Sequence, residues 1–565
     1  MGQKLELTWV GKDKPLNIEP RILIEDKARS FISANDDESE CENMLIHGDN
    51  LLALKALEKR YANQVKFVAI DPPYNTGAAF ENYDDNMEHS IWLNLMRARI
   101  EILYKLLADE GFLACQIDDS EGQYLKVLLD EIFGRQNYLT TMYIRVRYPE
   151  KTLKEDMIFH KEIEQIHVYR KTQKAIPNLT TVETGFDKFQ YKINELTKPT
   201  KTLNLGGKRV DIFTKDQYEI IKTEGSVNDL KEIWATGTIL DGNSSGRFFR
   251  DYFTGRYDED GYGVLYKVYG IGDDQYSHRY FTGPKKIGAT KGKYFQGVPI
   301  DKMNTGKIIK SMPINSFHDF AGNFGNCRHE GGSGFRGGKK PEALMKMLIE
   351  HFTNSGDIVI DSFLGSGTTS AVAHKMNRKW IGIEMGEHAY TLCQERLKRV
   401  VNGDKTGISK EVNWKGGGGY RFYELAPSLI NQDTFGEYVI NKDYNPDMLA
   451  GAVALHEGFT YEPSEELFWK QSRGTEKSYL FVTTNHLTEK HLNVIRNDLG
   501  EDEFLIISCK SFDNGLDKLF KNIIIKKIPE MLLSKCEFGV SDYNLNIIHP
   551  PVYDDEYEEE CGFDE

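Results

Sequence analysis

The chain has 565 residues, 40% of them hydrophobic, with 30 Phe and 29 Tyr, which is enough for several packed cores and excludes a disordered protein. No stretch reaches the roughly 18 uninterrupted apolar residues of a membrane span, and Met1 to Glu6 is too polar for a secretory signal, so a cytoplasmic address without membrane attachment is expected. The formal net charge is −15, which on its own argues against a polyanionic partner.

Residues 1–43 are polar and irregular and read as an arm. From Met44 the texture changes. Leu51, Leu54 and Leu57, with Ala53 and Ala56, recur at helical spacing, and Val65 to Ile70 is an apolar run that fits a buried strand. The run ends at Asp71-Pro72-Pro73-Tyr74, where two prolines forbid continuation of strand or helix and leave a stiff loop at the strand's carboxyl end. Ile91 to Leu107 reads as a helix, Gly111 to Ile117 as a strand, Gln123 to Phe133 as a helix and Glu164 to Tyr169 as a strand. This alternation indicates a parallel α/β sheet.

Between 175 and 330 periodicity is lost and Gly, Tyr, Lys and Arg become frequent, which marks a separate module or long insertion. Order returns at Lys340. Pro341 suits a first helical position, and Leu344, Met345, Leu348 and Ile349 form one stripe. Asp357 to Asp361 is a strand, Gly365 to Met376 holds a loop and a helix start, and Lys379 to Glu384 is the next strand. The two halves are expected to complete one sheet. Beyond the turn at Gly416 to Gly419 follow strands at Tyr479–Thr483, Phe504–Ser508 and Ile523–Ile525, with helices at His491–Leu499 and Asn514–Phe520.

Charge is unevenly distributed. Residues 141–340 hold 33 Lys and Arg against 24 Asp and Glu, leaving about −24 for the rest, and eight acids fall in Asp554 to Glu565. A basic middle between acidic flanks is compatible with DNA contact, and equally with a solvated face. The seven cysteines form no Cys-x-x-Cys pair and no cluster with His at ligand spacing, so they read as reduced thiols and no metal site is expected.

Two constellations carry chemistry. In Asp361-Ser362-Phe363-Leu364-Gly365-Ser366-Gly367-Thr368-Thr369 a strand runs into a Gly-rich turn and then a helix, so that a cofactor can approach the backbone closely at a helix N-terminus. No Lys follows the second glycine, which excludes a P-loop; a Gly-rich connection with no ligand is the plain alternative. Glu384 ends the next strand about twenty residues on, a position suited to hydrogen bonding the ribose of an adenosine-containing cofactor. Strand-end carboxylates also cap helices, and nicotinamide and sulfonium cofactors share this handle. The second constellation is the proline loop. An exocyclic amino nitrogen of adenine is a poor nucleophile, and Asp71 and the Pro72 carbonyl can accept its two hydrogens while Tyr74 stacks on a base flipped from the duplex. A Pro-Pro turn with an incidental Asp and Tyr is the bland reading.

Asp71-Pro72-Pro73-Tyr74-Asn75-Thr76-Gly77 resembles the catalytic motif of amino-methyltransferases acting on DNA, and Asp361 to Gly367 resembles their cofactor motif. With the catalytic loop first and the cofactor loop last, the order is similar to the permuted beta class. Met44 to Gly77 with His47-Gly48-Asp49-Asn50, Tyr83-Asp84-Asp85, Trp92 to Met96 and the extension after Phe422 look like modification subunits of type III restriction-modification systems. The resemblance implies a Rossmann-like S-adenosylmethionine-dependent sheet in permuted order, with an inserted target-recognition module and a C-terminal α/β domain. Its boundaries are an N-terminal arm 1–43, a catalytic half 44–174, a target-recognition module 175–337, a cofactor-binding half 338–424, and an assembly or partner domain 425–565.

By that resemblance, Asp71, Pro72, Pro73 and Tyr74 are catalytic and S-adenosylmethionine is held by Asp49, Asn50, Asp71, Lys340, Asp361, Phe363, Gly365, Gly367, Thr368 and Glu384, with Pro341 beside them. Asp rather than Ser at the first motif position favours N6-adenine over N4-cytosine. In the basic middle Arg145, Arg147, Arg247, Arg250, Lys285, Lys286, Lys291 and Lys293 are candidates for phosphate or base-edge contact, each also an ordinary surface charge. The expected partners are double-stranded DNA, a second copy of the chain and a separate ATP-driven restriction subunit. This chain has no Walker A motif, and Ile506 to Lys510 lacks the acid of a nuclease metal site. A solitary methyltransferase without a nuclease, and a catalytically silent DNA-binding protein, are the other readings.

Overall fold

The computed structural model of the protein describes residues 6–538 apart from 10, 14–16, 35, 38–40, 76–88, 150–158, 240–241, 273–275, 301–307, 333, 335–337, 529, 535 and 537. Thr76, Gly77, Tyr83 to Asp85, Cys561 and the acidic stretch Asp554 to Glu565 lie outside the described residues. The chain forms two compact units, Leu179–Ile314 and the remainder on either side of it.

The larger unit is organised on a ten-stranded sheet. Its strands in chain order are β1 (Leu23–Ile32), β2 (Met44–His47), β3 (Val65–Ile70), β4 (Leu107–Ile117), β5 (Tyr138–Arg145), β6 (Ile163–Arg170), β7 (Phe317–Asp319), β8 (Ile358–Asp361), β9 (Lys379–Glu384) and β10 (Gly419–Leu425). Their spatial order is β1-β10-β2-β9-β8-β3-β4-β6-β5-β7. The six strands from β10 to β4 are parallel. Sequence alternation predicts a parallel sheet, but β6 runs antiparallel to both β4 and β5: it follows β5 directly, returns antiparallel beside it and fills the place between β5 and β4. The arm also differs from expectation: ten of its residues form β1, antiparallel to β10, where the strand covers what would be an open sheet edge.

The helices of this unit are α1 (Asn50–Tyr61), α2 (His89–Leu106), α3 (Gly122–Phe133), α4 (Glu342–Phe352), α5 (Thr368–Lys375) and α6 (Gln394–Val401). Asp49 starts α1 by accepting the Leu52 amide at 3.0 Å, a cap that satisfies one of the helix's orphan donors. Leu51, Leu54 and Leu57 of α1, Trp92, Met96 and Ile100 of α2, and Leu125 and Leu129 of α3 pack in one cluster with Val68 and Ile70 of β3. Phe352 of α4 sets its ring 5.3 Å from Phe67 and 5.1 Å from Phe112. Pro341 is the residue before α4, with extended ψ of 142°, one position earlier than the spacing predicts.

Strand order turns two distant loops into neighbours. From β3 the chain proceeds to β4 on one side, and from β8 to β9 on the other, while β3 and β8 pair directly through Val359 with Phe67 and Ile360 with Val68. Crossovers diverging from adjacent parallel strands open a crevice at their carboxyl ends. The Asp71 and Asp361 loops both leave the sheet there.

After β10 a helix at Pro446–Glu457 and a five-stranded sheet follow, in which Ser478–Leu487, Phe504–Phe512 and Ile523–Lys527 are parallel. The helix predicted at Asn514–Phe520 is a single 3-10 turn, Leu516–Lys518, because Gly515 takes a left-handed φ of 89°. The smaller unit is an eight-stranded antiparallel sheet with a helix at Ser244–Tyr252. Phe248, Phe249 and Phe253 pack against Val210, Val268 and Phe281 of that sheet. Its strands run only five or six residues, too short for a period to stand out from the polar turns between them.

Candidate active site

Apolar β3, buried on its inner positions from Phe67 to Ile70, delivers Asp71 to the crevice, and the prolines end the strand there. The Trp92 indole donates to the Pro73 carbonyl at 2.8 Å, pinning the loop to α2. The Tyr74 hydroxyl lies 2.9 Å from Asp71 Oδ1 and 2.8 Å from Glu164 Oε2. Lys340 Nζ reaches in from the residue before Pro341, 2.9 Å from the Tyr74 oxygen, 3.0 Å from Asp71 Oδ2 and 3.5 Å from Glu164 Oε2. Gln116 of β4 donates to the same Glu164 oxygen at 2.5 Å.

Five side chains from four parts of the chain thus share one set of hydrogen bonds. Crowding by protein raises the Asp71 carboxyl above its ordinary range, Lys340 opposing this and Glu164 adding to it. Burial works against the charge on Glu164 too, yet the Lys340 ammonium and the hydrogen bonds from Tyr74 and Gln116 hold it below the usual carboxylate range. Lys340 is raised despite its burial by the two carboxylates it faces. Burial and the same carboxylates push the Tyr74 phenol far up, so it is a proton donor and never a phenolate at working pH.

Across the crevice, the β8 loop turns on Gly365 and Gly367, whose φ values of 54° and 74° suit glycine. Gly365 donates its amide to Glu384 Oε2 at 2.7 Å, and Gly386 donates to Oε1 at 2.9 Å. Asp361 accepts the Phe363 amide at 3.0 Å. Burial, with Asp71 and Glu384 nearby, pushes its carboxyl up to about 7. Asn50 donates to the Ser362 carbonyl at 2.7 Å and accepts from Arg99 at 2.5 Å, tying the loop to α1 and α2. Asp49 faces Arg99 at 3.8 Å while capping α1. Thr368 donates to the Lys340 carbonyl at 3.2 Å and accepts from Arg396 at 2.7 Å. Ser362 Oγ is buried with no hydrogen-bond partner among the described residues. A glycine turn, two buried acids and an unpaired hydroxyl fit an adenosine-bearing cofactor.

The residues expected to hold a cofactor therefore fall in two groups. Asp361, Phe363, Gly365, Gly367, Thr368 and Glu384 line the β8 and β9 ends, with Asn50 bracing them. The Lys340 ammonium instead joins Asp71, Tyr74 and Glu164. Glu164 and Gln116 are absent from the sequence expectations. The signal for Glu164 was a single acid on the strand face it shares with Ile166 and Val168.

The candidate DNA contacts are dispersed. Arg145 pairs with Glu162 at 3.1 Å and Asp319 at 3.4 Å, and Arg147 donates to the Lys161 carbonyl. In the smaller unit Lys293 pairs with Glu232 at 2.6 Å and lies over the Trp234 ring at 4.5 Å, and Arg250 pairs with Asp251. Arg247, Lys285, Lys286 and Lys291 are exposed.

Comparison with known proteins agrees with this geometry. A DNA methylase model, named for N6 and N4 methyltransferases, matches residues 65–395, a span containing both loops. The probable type III restriction-modification enzyme HindVI Mod subunit of Haemophilus influenzae is 34% identical over 429 residues, covering 70% of this chain and 55% of that protein. The StyLTI Mod subunit of Salmonella typhimurium is 25% identical, covering 66% and 55%. The type II methyltransferase M.EcaI of Enterobacter cloacae is 25% identical, covering 81% and 90%. The chain spans about half the length of the two Mod subunits. With more than half its length matched, and with both loops inside the matched span meeting in one crevice, the chain belongs to the DNA methylase family.

Proposed function

We propose that the protein transfers a methyl group from S-adenosylmethionine to N6 of a flipped adenine in double-stranded DNA, with Asp71, Pro72, Pro73 and Tyr74 as the catalytic loop. The observation that carries this reading is the meeting of the Asp71 loop with the Gly365–Glu384 turn at one switch point of the sheet. When bound, the sulfonium cofactor supplies an electrophilic methyl group. Asp71 and the Pro72 carbonyl accept the two amino hydrogens, drawing the nitrogen lone pair out of conjugation and stabilising positive charge as it develops. Tyr74 packs on the base face. Phe363, Gly365, Gly367 and Thr368 shape the cofactor turn, with Asp361, Asp49 and Asn50 around it, and Glu384 accepts the ribose hydroxyls.

The antiparallel unit 179–314, within the expected module 175–337, is the target-recognition part, where Arg247, Lys285, Lys286 and Lys291 offer exposed charge for phosphates. Arg145, Arg147, Arg250 and Lys293 are further DNA contacts that must exchange their present partners. Likeness to the HindVI and StyLTI type III Mod subunits supports a modification and specificity subunit of a type III system; a dimer, an ATP-driven restriction subunit as partner and an assembly role for residues 425–565 belong to the same proposal. A methyltransferase acting without a type III restriction subunit is the second reading, favoured by the 90% coverage of the type II methyltransferase M.EcaI. Methylation-aware sequencing of DNA from a host expressing the chain alone tests the function. N6-methyladenine at one recurrent sequence is expected, and unmodified adenine throughout would overturn it.

A further inference from the structure

The Tyr74 hydroxyl has one proton and two carboxylates within reach, Asp71 Oδ1 at 2.9 Å and Glu164 Oε2 at 2.8 Å. Its oxygen is already approached by the Lys340 ammonium at 2.9 Å, so the proton must go to one carboxylate or the other. The choice matters for the reaction proposed above, on which this inference rests. If the phenol donates to Asp71, it occupies the oxygen that an incoming amino group needs. If it donates to Glu164, Asp71 Oδ1 keeps a lone pair facing the crevice.

We propose that Glu164 is a positioning residue for methyl transfer: by accepting the Tyr74 hydroxyl's hydrogen bond, it leaves the Asp71 carboxylate open to accept the amino hydrogen of the target base. Three features of its surroundings favour this direction. Glu164 Oε2 also receives the Gln116 amide at 2.5 Å and faces Lys340 at 3.5 Å, so the carboxylate is held in place and charged. Lys340 Nζ at 3.0 Å from Asp71 Oδ2 anchors the far oxygen of Asp71 and orients the near one. Glu164 shares its strand face with Ile166 and Val168, both fully buried, so an acid there has no role in packing. No covalent step passes through Glu164.

The charged and titratable groups around Asp71 are Glu164 from β6, Lys340 from the segment before α4, Tyr74 from its own loop, Cys115 from β4 and Asp361 from β8. Removing the Glu164 charge takes one negative neighbour from Asp71, so the acid limb of the rate profile moves to lower pH. A residue that only supports the fold would not move that limb.

The test is a double-mutant cycle on single-turnover methylation of adenine-containing DNA, using the full chain, with Glu164→Ala, Tyr74→Phe and the double variant. S-adenosylmethionine affinity by calorimetry is the readout independent of turnover. Glu164→Ala is expected to lower the rate by about 10- to 100-fold, the worth of one hydrogen bond to a charged group, with cofactor affinity retained and the acid limb shifted down. In the Tyr74→Phe background, where no hydroxyl competes for Asp71, the same change should cost little. Additive losses, or a Glu164→Ala variant with wild-type rate and acid limb, would overturn the proposal. If Glu164→Ala does not fold, Glu164→Leu, which fills the space without an acceptor, takes its place in the cycle, judged by the same acid limb and the same additivity. A wild-type chain that labels no adenine at all would instead overturn the functional reading, and the proposal with it; additivity in an active wild type overturns the proposal alone.

Discussion

Lys340 Nζ lies 2.9 Å from the Tyr74 hydroxyl across 266 residues of sequence, and the same ammonium sits 3.0 Å from Asp71 Oδ2. Through this contact the second half of the sheet takes part in the loop supplied by the first. The Lys340 backbone carbonyl also accepts from Thr368, so one residue connects the Asp71 loop with the start of α5.

Replacing Lys340 by Met should lower methyl transfer on the order of 100-fold, as loss of a charge aimed at the reacting groups does. The pH profile gives the sign. Asp71 must be ionised to accept the amino hydrogen, and its carboxyl is already raised by burial with Lys340 holding it back. Without the ammonium it rises further, so the acid limb of the rate profile moves to higher pH, opposite to the shift from Glu164→Ala.

Glu384→Gln should weaken S-adenosylmethionine binding by about 10- to 100-fold, since hydrogen bonds to a carboxylate become bonds to an amide. The Gly365 and Gly386 amides that Glu384 now accepts lose strength as well. Calorimetric titration measures the affinity. Unchanged affinity would remove Glu384 from the cofactor site.

Glu342, at the start of α4, is fully buried, with Lys375 at 2.9 Å and Arg396 at 2.8 Å, and Asp404 completes the cluster at 2.8 Å from Lys375. Glu342→Ala takes from buried Arg396 the carboxylate it pairs with and leaves Lys375 with Asp404 alone, and should destabilise the unit by about 3–5 kcal/mol, read as a lower denaturation midpoint. Burial opposes the Glu342 charge, but Arg396 and Lys375 hold the carboxyl below its ordinary value. Its contribution is therefore complete above the unfolded carboxylate range and is lost as pH falls through the depressed folded value. A wild-type stability that stays flat on acidification through that window would contradict this assignment.

Gly367→Ala tests the cofactor turn. A methyl group there would meet Cys393 no closer than 3.6 Å, an ordinary contact, so its cost comes from the left-handed backbone alone. A loss of about 1–2 kcal/mol is expected, with a local weakening of cofactor binding.

The sheet was largely legible in the sequence where strands are buried on both faces. Val65–Ile70 and Lys379–Glu384 were read at the bounds the structure gives them, because a short apolar run ended by prolines or an acid has few other solutions. Legibility failed where packing is one-sided. β1 carries charges on a half-exposed edge and resembles a loop, and the five-residue strands of 179–314 alternate too briefly to register. In the candidate site the Asp71 loop and the glycine turn announced themselves by composition. Glu164 did not, since a single acid beginning a strand looks like a solvent-facing end until the neighbouring strand order brings Lys340 against it.

The central claim is that Asp71 accepts the amino hydrogen of a target adenine while the cofactor is held elsewhere in the crevice. Transfer of labelled methyl groups from S-adenosylmethionine to DNA, measured beside cofactor affinity for wild type and Asp71→Ala, tests it most directly. The account predicts label on adenine with the wild type, none above background with Asp71→Ala, and similar cofactor affinity for both. Full labelling by Asp71→Ala, or a wild type that binds cofactor and DNA without ever labelling adenine, would contradict it.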